Sequence, residues 1–63
     1  MKVTFNRTGR SGNIFYILGM AYAALELEDR KPDAQQMMAR AKASGSYEEA
    51  LKIIAEYVEL EEE

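Results

Sequence analysis

The sequence predicts a small α+β fold, in which a short N-terminal strand, three helices and a short C-terminal strand follow one another along the chain. Three observations support this order. Residues 2–6 alternate polar and apolar side chains, which is the period of a half-buried strand. Residues 14–25 form an uncharged, mostly apolar segment of helical length. Residues 44–49 carry the signals of one helix end followed at once by the start of the next helix.

The two strands are expected to pair with each other. Val3 and Phe5 share one side of the N-terminal strand, because side chains two residues apart in a strand point the same way. The segment 57–61 fits two patterns, since it continues the last helix through Val58 or alternates as a strand with Val58 and Leu60 inward. We prefer the strand, because the N-terminal strand has no pairing partner without it.

Helix 1 is expected to follow an N-cap at Ser11 or Asn13 and to run to about Glu28. It carries two apolar stripes at helical spacing. The members of the first stripe, which face the core, are Ile14, Leu18, Ala21 and Leu25. The members of the second stripe are Phe15, Gly19, Tyr22 and Ala23. The helix is therefore apolar nearly all round.

Helix 2 is expected to begin at Pro32, whose fixed φ suits a first helical turn, and to end near Ser44 with Gly45 in the left-handed conformation. Its expected inward side chains are Ala34, Met37, Met38 and Ala41. Helix 3 is expected to begin with a capping box, in which Ser46 and Glu49 satisfy each other's free N–H groups. Its expected inward side chains are Ala50, Leu51, Ile54 and Tyr57.

The composition argues against catalysis. The 63 residues include neither Cys nor His, so the chain has no thiol nucleophile, no ordinary base at neutral pH and no usual zinc ligand. A chain this short also has little capacity to enclose its remaining carboxylates in a cleft that excludes water. We therefore expect a protein that is not an enzyme and that holds no metal and no cofactor.

Charge and hydropathy narrow the class of partner. Eleven acidic residues against eight basic ones give a net charge of −3, whereas nucleic-acid-binding domains are usually basic. The apolar segment 14–25 is too short to cross a bilayer, and residues 1–7 have no apolar core of a signal peptide. We expect one cytoplasmic domain over residues 1–63 that binds neither nucleic acid nor membrane.

The acidic C-terminus, Glu59 and Glu61–Glu63, is expected to be solvated. Calcium needs about six to eight oxygen ligands from a shaped loop, which a run of terminal carboxylates does not provide. Because consecutive like charges repel each other, removal of residues 61–63 is expected to leave the fold intact.

Self-association is the main functional expectation. A domain of this size without disulfides or metal usually needs further support, such as a partner subunit. The second stripe of helix 1 is the predicted interface of a homodimer, formed by Phe15, Gly19, Tyr22 and Ala23. A glycine inside a helix costs about 1 kcal/mol relative to alanine, so Gly19 is expected to serve a close helix contact, either within one chain or between two.

A small-ligand binder is the alternative function. The loop of residues 7–13 carries two Arg, two Gly and two hydroxyl groups ahead of a helix N-terminus, where free N–H groups favour anions. The candidate residues are Arg7, Arg10, Ser11, Gly12 and Asn13. Their spacing does not match a phosphate-binding loop. The ligand of such a site would be an anionic metabolite or a nucleotide.

Three segments together resemble a group of small bacterial and phage-borne proteins of unknown function. Residues 12–19 read Gly-Asn-Ile-Phe-Tyr-Ile-Leu-Gly, residues 44–51 read Ser-Gly-Ser-Tyr-Glu-Glu-Ala-Leu, and Tyr57-Val58 follows. The resemblance implies a strand, helices and a closing strand, and it assigns no activity and no site residues. Its phage-borne context implies a modulator or inhibitor of a host protein. The expected function is thus that of a non-catalytic protein-interaction module, acting as a homodimer, with a host or other bacterial protein as a further partner.

Overall fold

The order of elements along the chain agrees with the sequence prediction. The computed structural model describes residues 2–9 and 12–63. Its elements are β1 (Lys2–Phe5), α1 (Ile14–Leu27), α2 (Lys31–Ala43), α3 (Tyr47–Ile54) and β2 (Glu59–Glu62). The small α+β fold, with one strand at each end and three helices between them, is therefore confirmed.

The two strands form a parallel two-stranded sheet. Val3 lies opposite Leu60, and Phe5 lies opposite Glu62. Parallel neighbours require a long crossover connection, and here all three helices provide it. The strand preferred over a helical continuation is confirmed, although it begins at Glu59.

The acidic C-terminus belongs to this sheet. Glu61 lies within β2 and forms an ion pair with Lys2 at 3.5 Å. The N–H of Glu63 donates a hydrogen bond to the carbonyl of Phe5 at 2.8 Å. The expected exposure of these carboxylates is confirmed, since Glu59 and Glu61–Glu63 are all exposed. The expectation that residues 61–63 are dispensable for the fold stays a prediction, which their place in the sheet does not favour. Strand pairing uses backbone groups, and the side-chain charges of β2 do not prevent it.

The core lies between the inner side of α1, the two other helices and one side of β1. Val3 and Phe5 of β1 are each 3% exposed, as the period of two predicted. The helices contribute a larger set of buried apolar side chains, which includes Ile17, Leu18, Ala21, Leu25, Ala34, Met37, Ala41, Leu51 and Ile54. The predicted inward side chains of all three helices are in this set or pack against it, except Ala50, which is buried but not part of the cluster.

Side chains cap two of the helices as predicted. Asn13 accepts the N–H of Phe15 at 2.8 Å, so Asn13 is the N-cap of α1. Ser46 accepts the N–H of Glu49 at 3.1 Å at the start of α3, which is one of the two bonds of the predicted capping box. Pro32 lies in the first turn of α2. These short-range signals set where the helices begin.

The end of α2 differs from the prediction. None of the four glycines has a positive φ, so Gly45 does not adopt the left-handed conformation. Ser44 is extended instead, with ψ of 154°, and its hydroxyl donates to the carbonyl of Ala41 at 2.6 Å. The hydroxyl of Ser44 thus satisfies a free carbonyl group at the end of α2, a role that the sequence predicted for Gly45. Among the described residues, the left-handed conformation is found at Asp29, with φ of 60°, two residues after the end of α1.

Gly12 is held tightly against the loop that follows β1. A Cβ at this position would lie 2.5 Å from the carbonyl oxygen of Arg7 and still closer to that of Asn6. The hydroxyl of Tyr47 donates a hydrogen bond to the carbonyl of Gly12. This contact brings the start of α1 against the start of α3, and it leaves no room for a side chain at Gly12.

Gly12→Ala is expected to destabilise the chain by about 1–3 kcal/mol, because the new methyl group would overlap backbone atoms that have little freedom to move. Gly45→Ala is the matched control, since a Cβ there meets nothing within 4 Å and the backbone has no positive φ. The control is expected to change stability by less than about 0.5 kcal/mol. Urea denaturation of both variants measures the difference, and equal stabilities would contradict the contact at Gly12.

Removal of Glu61–Glu63 is expected to lower the melting temperature by about 10 °C, because strand hydrogen bonds worth about 2 kcal/mol in total are lost. The control is the triple variant Glu61→Gln, Glu62→Gln and Glu63→Gln, which keeps the backbone and removes only charge. Thermal unfolding followed by circular dichroism compares the two proteins. A truncated chain that melts like the intact one would show that β2 contributes nothing to stability.

Candidate interaction surface

The side of α1 that faces away from the core is exposed, and it is apolar except for Glu26, which lies seven residues after Gly19 on the same side. All the large apolar side chains that are exposed within residues 2–9 and 12–63 belong to this helix: Phe15 (71% exposed), Tyr16 (44%), Met20 (46%) and Leu27 (80%). Gly19 and Ala23 lie among them and are exposed as well. We name these six residues the outer face of α1. Its position follows from packing, because α2, α3 and β1 all contact the opposite side of the helix.

Four residues of the outer face form one ridge along the helix. Phe15, Gly19, Ala23 and Leu27 follow one another at intervals of four residues, and side chains at that spacing line up on a helix surface. The ridge has a large side chain at each end and small residues in the middle. Its profile is that of a shallow saddle, with the lowest point at Gly19.

The predicted interface residues lie mostly on this face. Phe15, Gly19 and Ala23 are exposed together, as the second stripe of helix 1 predicted. Tyr22 is different, because it is half-buried and packs against the core cluster. The stripe did not include Tyr16, Met20 or Leu27, which are the other large side chains of the outer face. The four-residue step from Ala23 to Leu27 was a usable signal for the last of these.

Gly19 has no close neighbour in its own chain. A Cβ at this position would meet nothing within 4 Å. The first of the two explanations offered for this glycine, a close contact within one chain, is therefore wrong. A contact with a second molecule is the explanation that stays as a prediction.

The outer face is large for a chain of this size. Its four large side chains expose on the order of 500 Å² if a fully exposed side chain of this kind offers roughly 200 Å². The whole chain exposes 4051 Å². The largest apolar patch of a typical monomer is about 300–600 Å² and is often functional. A chain of 63 residues thus exposes as much apolar surface in one place as much larger proteins do.

An open groove lies beside Phe15, at the N-terminal end of the outer face. It has a volume of about 350 Å³ and runs between the start of α1 and the turn that joins α2 to α3. Leu18, Tyr47 and Ala50 provide apolar walls, and Lys42 provides a positive charge. The groove and the outer face are continuous, because Phe15 belongs to both.

Arg7, the arginine of the predicted anion-binding loop that the structure describes, is already paired with acidic side chains. Arg7 forms ion pairs with Glu48 of α3 and, at 3.2 Å, with Glu62 of β2. Its guanidinium group also lies 5.6 Å from the ring centre of Tyr47. Hydrogen bonds with Glu48 and Glu62 raise the pKa of Arg7 further above its usual value. Arg7 therefore joins β1 to both α3 and β2, and two carboxylates already offset its charge.

Of the other residues of that loop, Gly12 and Asn13 already have hydrogen-bond partners. The side chain of Asn13 occupies the N–H of Phe15, which an anion at this helix N-terminus would otherwise approach. Gly12 is buried, and its carbonyl accepts the hydroxyl of Tyr47. Arg10 and Ser11 lie outside the described residues. The anion site stays a prediction that the described contacts do not favour.

A second cluster of polar groups joins α2 to the turn after α3. Arg40 forms an ion pair with Glu56 at 2.8 Å and donates a hydrogen bond to the hydroxyl of Tyr57 at 3.0 Å. The hydrogen bonds from Arg40 lower the pKa of Glu56. The Tyr57 hydroxyl donates in turn to Gln36 at 2.7 Å. These groups satisfy one another, and their role is to fix the chain between α3 and β2.

Within the described ranges, no group of three or more acidic side chains is arranged to hold a metal ion. No helix in the same part of the chain has both the length and the apolar character needed to cross a membrane.

Comparison of the chain with protein-family models, with curated proteins and with solved structures gives no match. The resemblance to small phage-borne proteins therefore stays a prediction, and so does the host protein that it implies as a partner.

Proposed function

We propose that this chain is a non-catalytic protein-interaction module that acts as a homodimer, with the outer face of α1 as the contact surface. The observation that carries the proposal is the exposure of this face. Phe15 is 71% exposed and Leu27 80% exposed, although both belong to the helix that organises the core. Apolar patches of this extent are often functional.

No other segment of the described chain covers the outer face. The paired strands and the C-terminus do not fold over the second stripe of helix 1, because Phe15, Gly19 and Ala23 are all exposed. The C-terminal segment is engaged elsewhere, since β2 pairs with β1 along its whole length. Its exposure in the described chain supports cover by a second molecule.

A second copy of the chain suits this face for two reasons. The segment 14–25 carries no charge, and burial of a charged partner surface against it would leave those charges unpaired at high cost. The outer face of another copy is equally apolar, with Glu26 as the one charge beside it, and so keeps that cost low. The net charge of −3 per chain also gives only weak repulsion between two copies.

The size of the outer face sets the expected strength of the dimer. Two such faces in contact bury on the order of 1,000 Å² in total, which is at the low end for specific interfaces. A permanent, obligate dimer usually buries at least about 2,000 Å². We therefore expect a dimer that forms reversibly, with neighbouring surface such as the groove beside Phe15 adding to the contact.

Ala23→Glu is expected to weaken the dimer by at least about 100-fold, because it places a charge without a partner inside the contact. The fold should persist, since Ala23 is exposed in the single chain. The matched control is Ala39→Glu, the same substitution at an exposed alanine of α2 on the side away from the core. Light scattering on a sizing column gives the mass of all three proteins.

The control is expected to keep the mass of the unchanged protein, at twice that of one chain when the concentration is high. A mass of one chain for the unchanged protein at every concentration would refute the homodimer. If Ala23→Glu and Ala39→Glu dissociate the dimer equally, an added charge weakens association at either position. That result would contradict the outer face as the contact surface.

Gly19→Ala is expected to have opposite effects on the chain and on the dimer. It should stabilise the single chain by about 1 kcal/mol, because alanine favours a helix and the new methyl group meets no atom of the same chain. It should weaken association about tenfold, because the methyl group would occupy the lowest point of the saddle. Urea unfolding at low concentration and sedimentation equilibrium measure the two effects. Unchanged association would exclude Gly19 from the closest contact.

A further inference from the structure

We propose that the two copies pair through α1 in antiparallel orientation, with Phe15 of one copy against Leu27 of the other and Gly19 against Ala23. This inference rests on the proposed homodimer and adds its geometry. The crossing point lies between Gly19 and Ala23, near the middle of the helix. Since the ridge residues are four apart, two such ridges pack with the helices crossing at roughly 50°.

The ridge is self-complementary under a two-fold rotation that reverses the helix. Read from either end, it runs from a large side chain through two small residues to a large side chain. Reversal therefore matches large with large at both ends and small with small in the middle. The backbones can approach closely at Gly19, where the structure has open space. This profile permits antiparallel pairing, and the distribution of charge selects it.

The acidic charges of α1 and its flanks lie at the C-terminal end of the helix. Residues 26–33 carry four acidic side chains against two basic ones, whereas the first turn of α1 carries no acidic residue. Parallel pairing would bring two negative ends together, and with them the negative ends of two helix dipoles. Antiparallel pairing instead brings the negative end of one copy to the positive end of the other helix. Lys42 lies on the wall of the groove beside the N-terminal end of α1. In the antiparallel dimer its ammonium group pairs with the carboxylate of Glu26 of the second copy.

The groove beside Phe15 gives Leu27 of the second copy a place to bind. Leu27 is the most exposed of the large apolar side chains described, at 80%. Antiparallel pairing brings it to Phe15 at the mouth of the groove, whose 350 Å³ and apolar walls from Leu18 and Ala50 can accept it. Parallel pairing would place the two copies of Leu27 against each other and leave both grooves open. The groove thus adds buried apolar area to an interface that the outer face alone makes small.

Disulfide cross-linking tests the orientation, and the absence of natural cysteine makes each introduced thiol a specific probe. Phe15→Cys and Leu27→Cys are mixed in equal amounts and oxidised, and the products are counted by mass spectrometry. A disulfide requires Cα atoms within about 7 Å. In the antiparallel dimer, two copies of the same position are separated by twelve helical residues, or about 18 Å. The mixed disulfide is therefore expected to exceed each symmetric disulfide at least tenfold.

Ala39→Cys is the control for random collision, because it is exposed on α2 away from the outer face. Dominant symmetric disulfides at positions 15 and 27 would overturn the antiparallel orientation in favour of the parallel one. Cross-linking no greater than that of the control, in a mixture that light scattering shows to be dimeric, would overturn the proposed contacts. A single-chain mass for the unchanged protein would instead refute the homodimer itself, so the two failures are distinguishable.

A second measurement uses the unchanged chain and covers the case in which either cysteine variant dissociates. A dimer is assembled from ¹³C-labelled and unlabelled copies, and nuclear Overhauser contacts between different copies are recorded. Contacts between the Phe15 ring and the Leu27 methyl groups are expected. They cannot arise within one chain, because the two residues are about 18 Å apart along the helix. Phe15–Phe15 contacts in their place would contradict the proposal.

Discussion

The structure depends on the burial of one side of α1. Ile17 and Leu25 are fully buried on that side, and α2, α3 and β1 all pack against it. A chain of 63 residues has too little material to surround a central helix, because a small domain buries a smaller share of its surface than a large one. The apolar residues needed to hold the core together and those left outside therefore lie on the same helix. The interaction surface is a direct consequence of how the core is built.

The second constraint is that the two ends of the chain must meet. A two-stranded sheet has little stability of its own, so β1 and β2 hold together mainly because Val3 and Phe5 are buried against the helices. Arg7 adds a polar connection from the end of β1 to α3 and to β2. The basic start of the chain thus offsets its acidic end, and the outer face of α1 stays free because the C-terminus is used in the sheet.

Local signals in the sequence predicted the elements well, whereas their arrangement in space required the structure. Asn13 and Ser46 cap α1 and α3 through bonds to residues two and three positions away, and such bonds can be anticipated from neighbouring letters. Gly45 was misread because Ser44 ends α2 in a different way. The pairing of the last segment with the first strand was predicted too, whereas the parallel direction of the pair and the inclusion of Glu62 in β2 are long-range features that local patterns do not reveal.

For the candidate site, too, the sequence predicted the apolar helix but not which of its sides would be exposed. The sequence established that helix 1 is apolar nearly all round, but which side would be covered depends on where α2 and α3 lie. Tyr22 is half-buried for this reason, whereas Leu27 is exposed.

The most direct measurement of the central claim is the concentration dependence of the amide NMR signals of the unchanged chain. Signals of Gly19 and Ala23 are expected to shift as the concentration rises, with slower tumbling, while that of Lys52 on α3 stays fixed. Signals that keep their positions, with tumbling of a 7.1 kDa particle throughout, would contradict a second copy on this face.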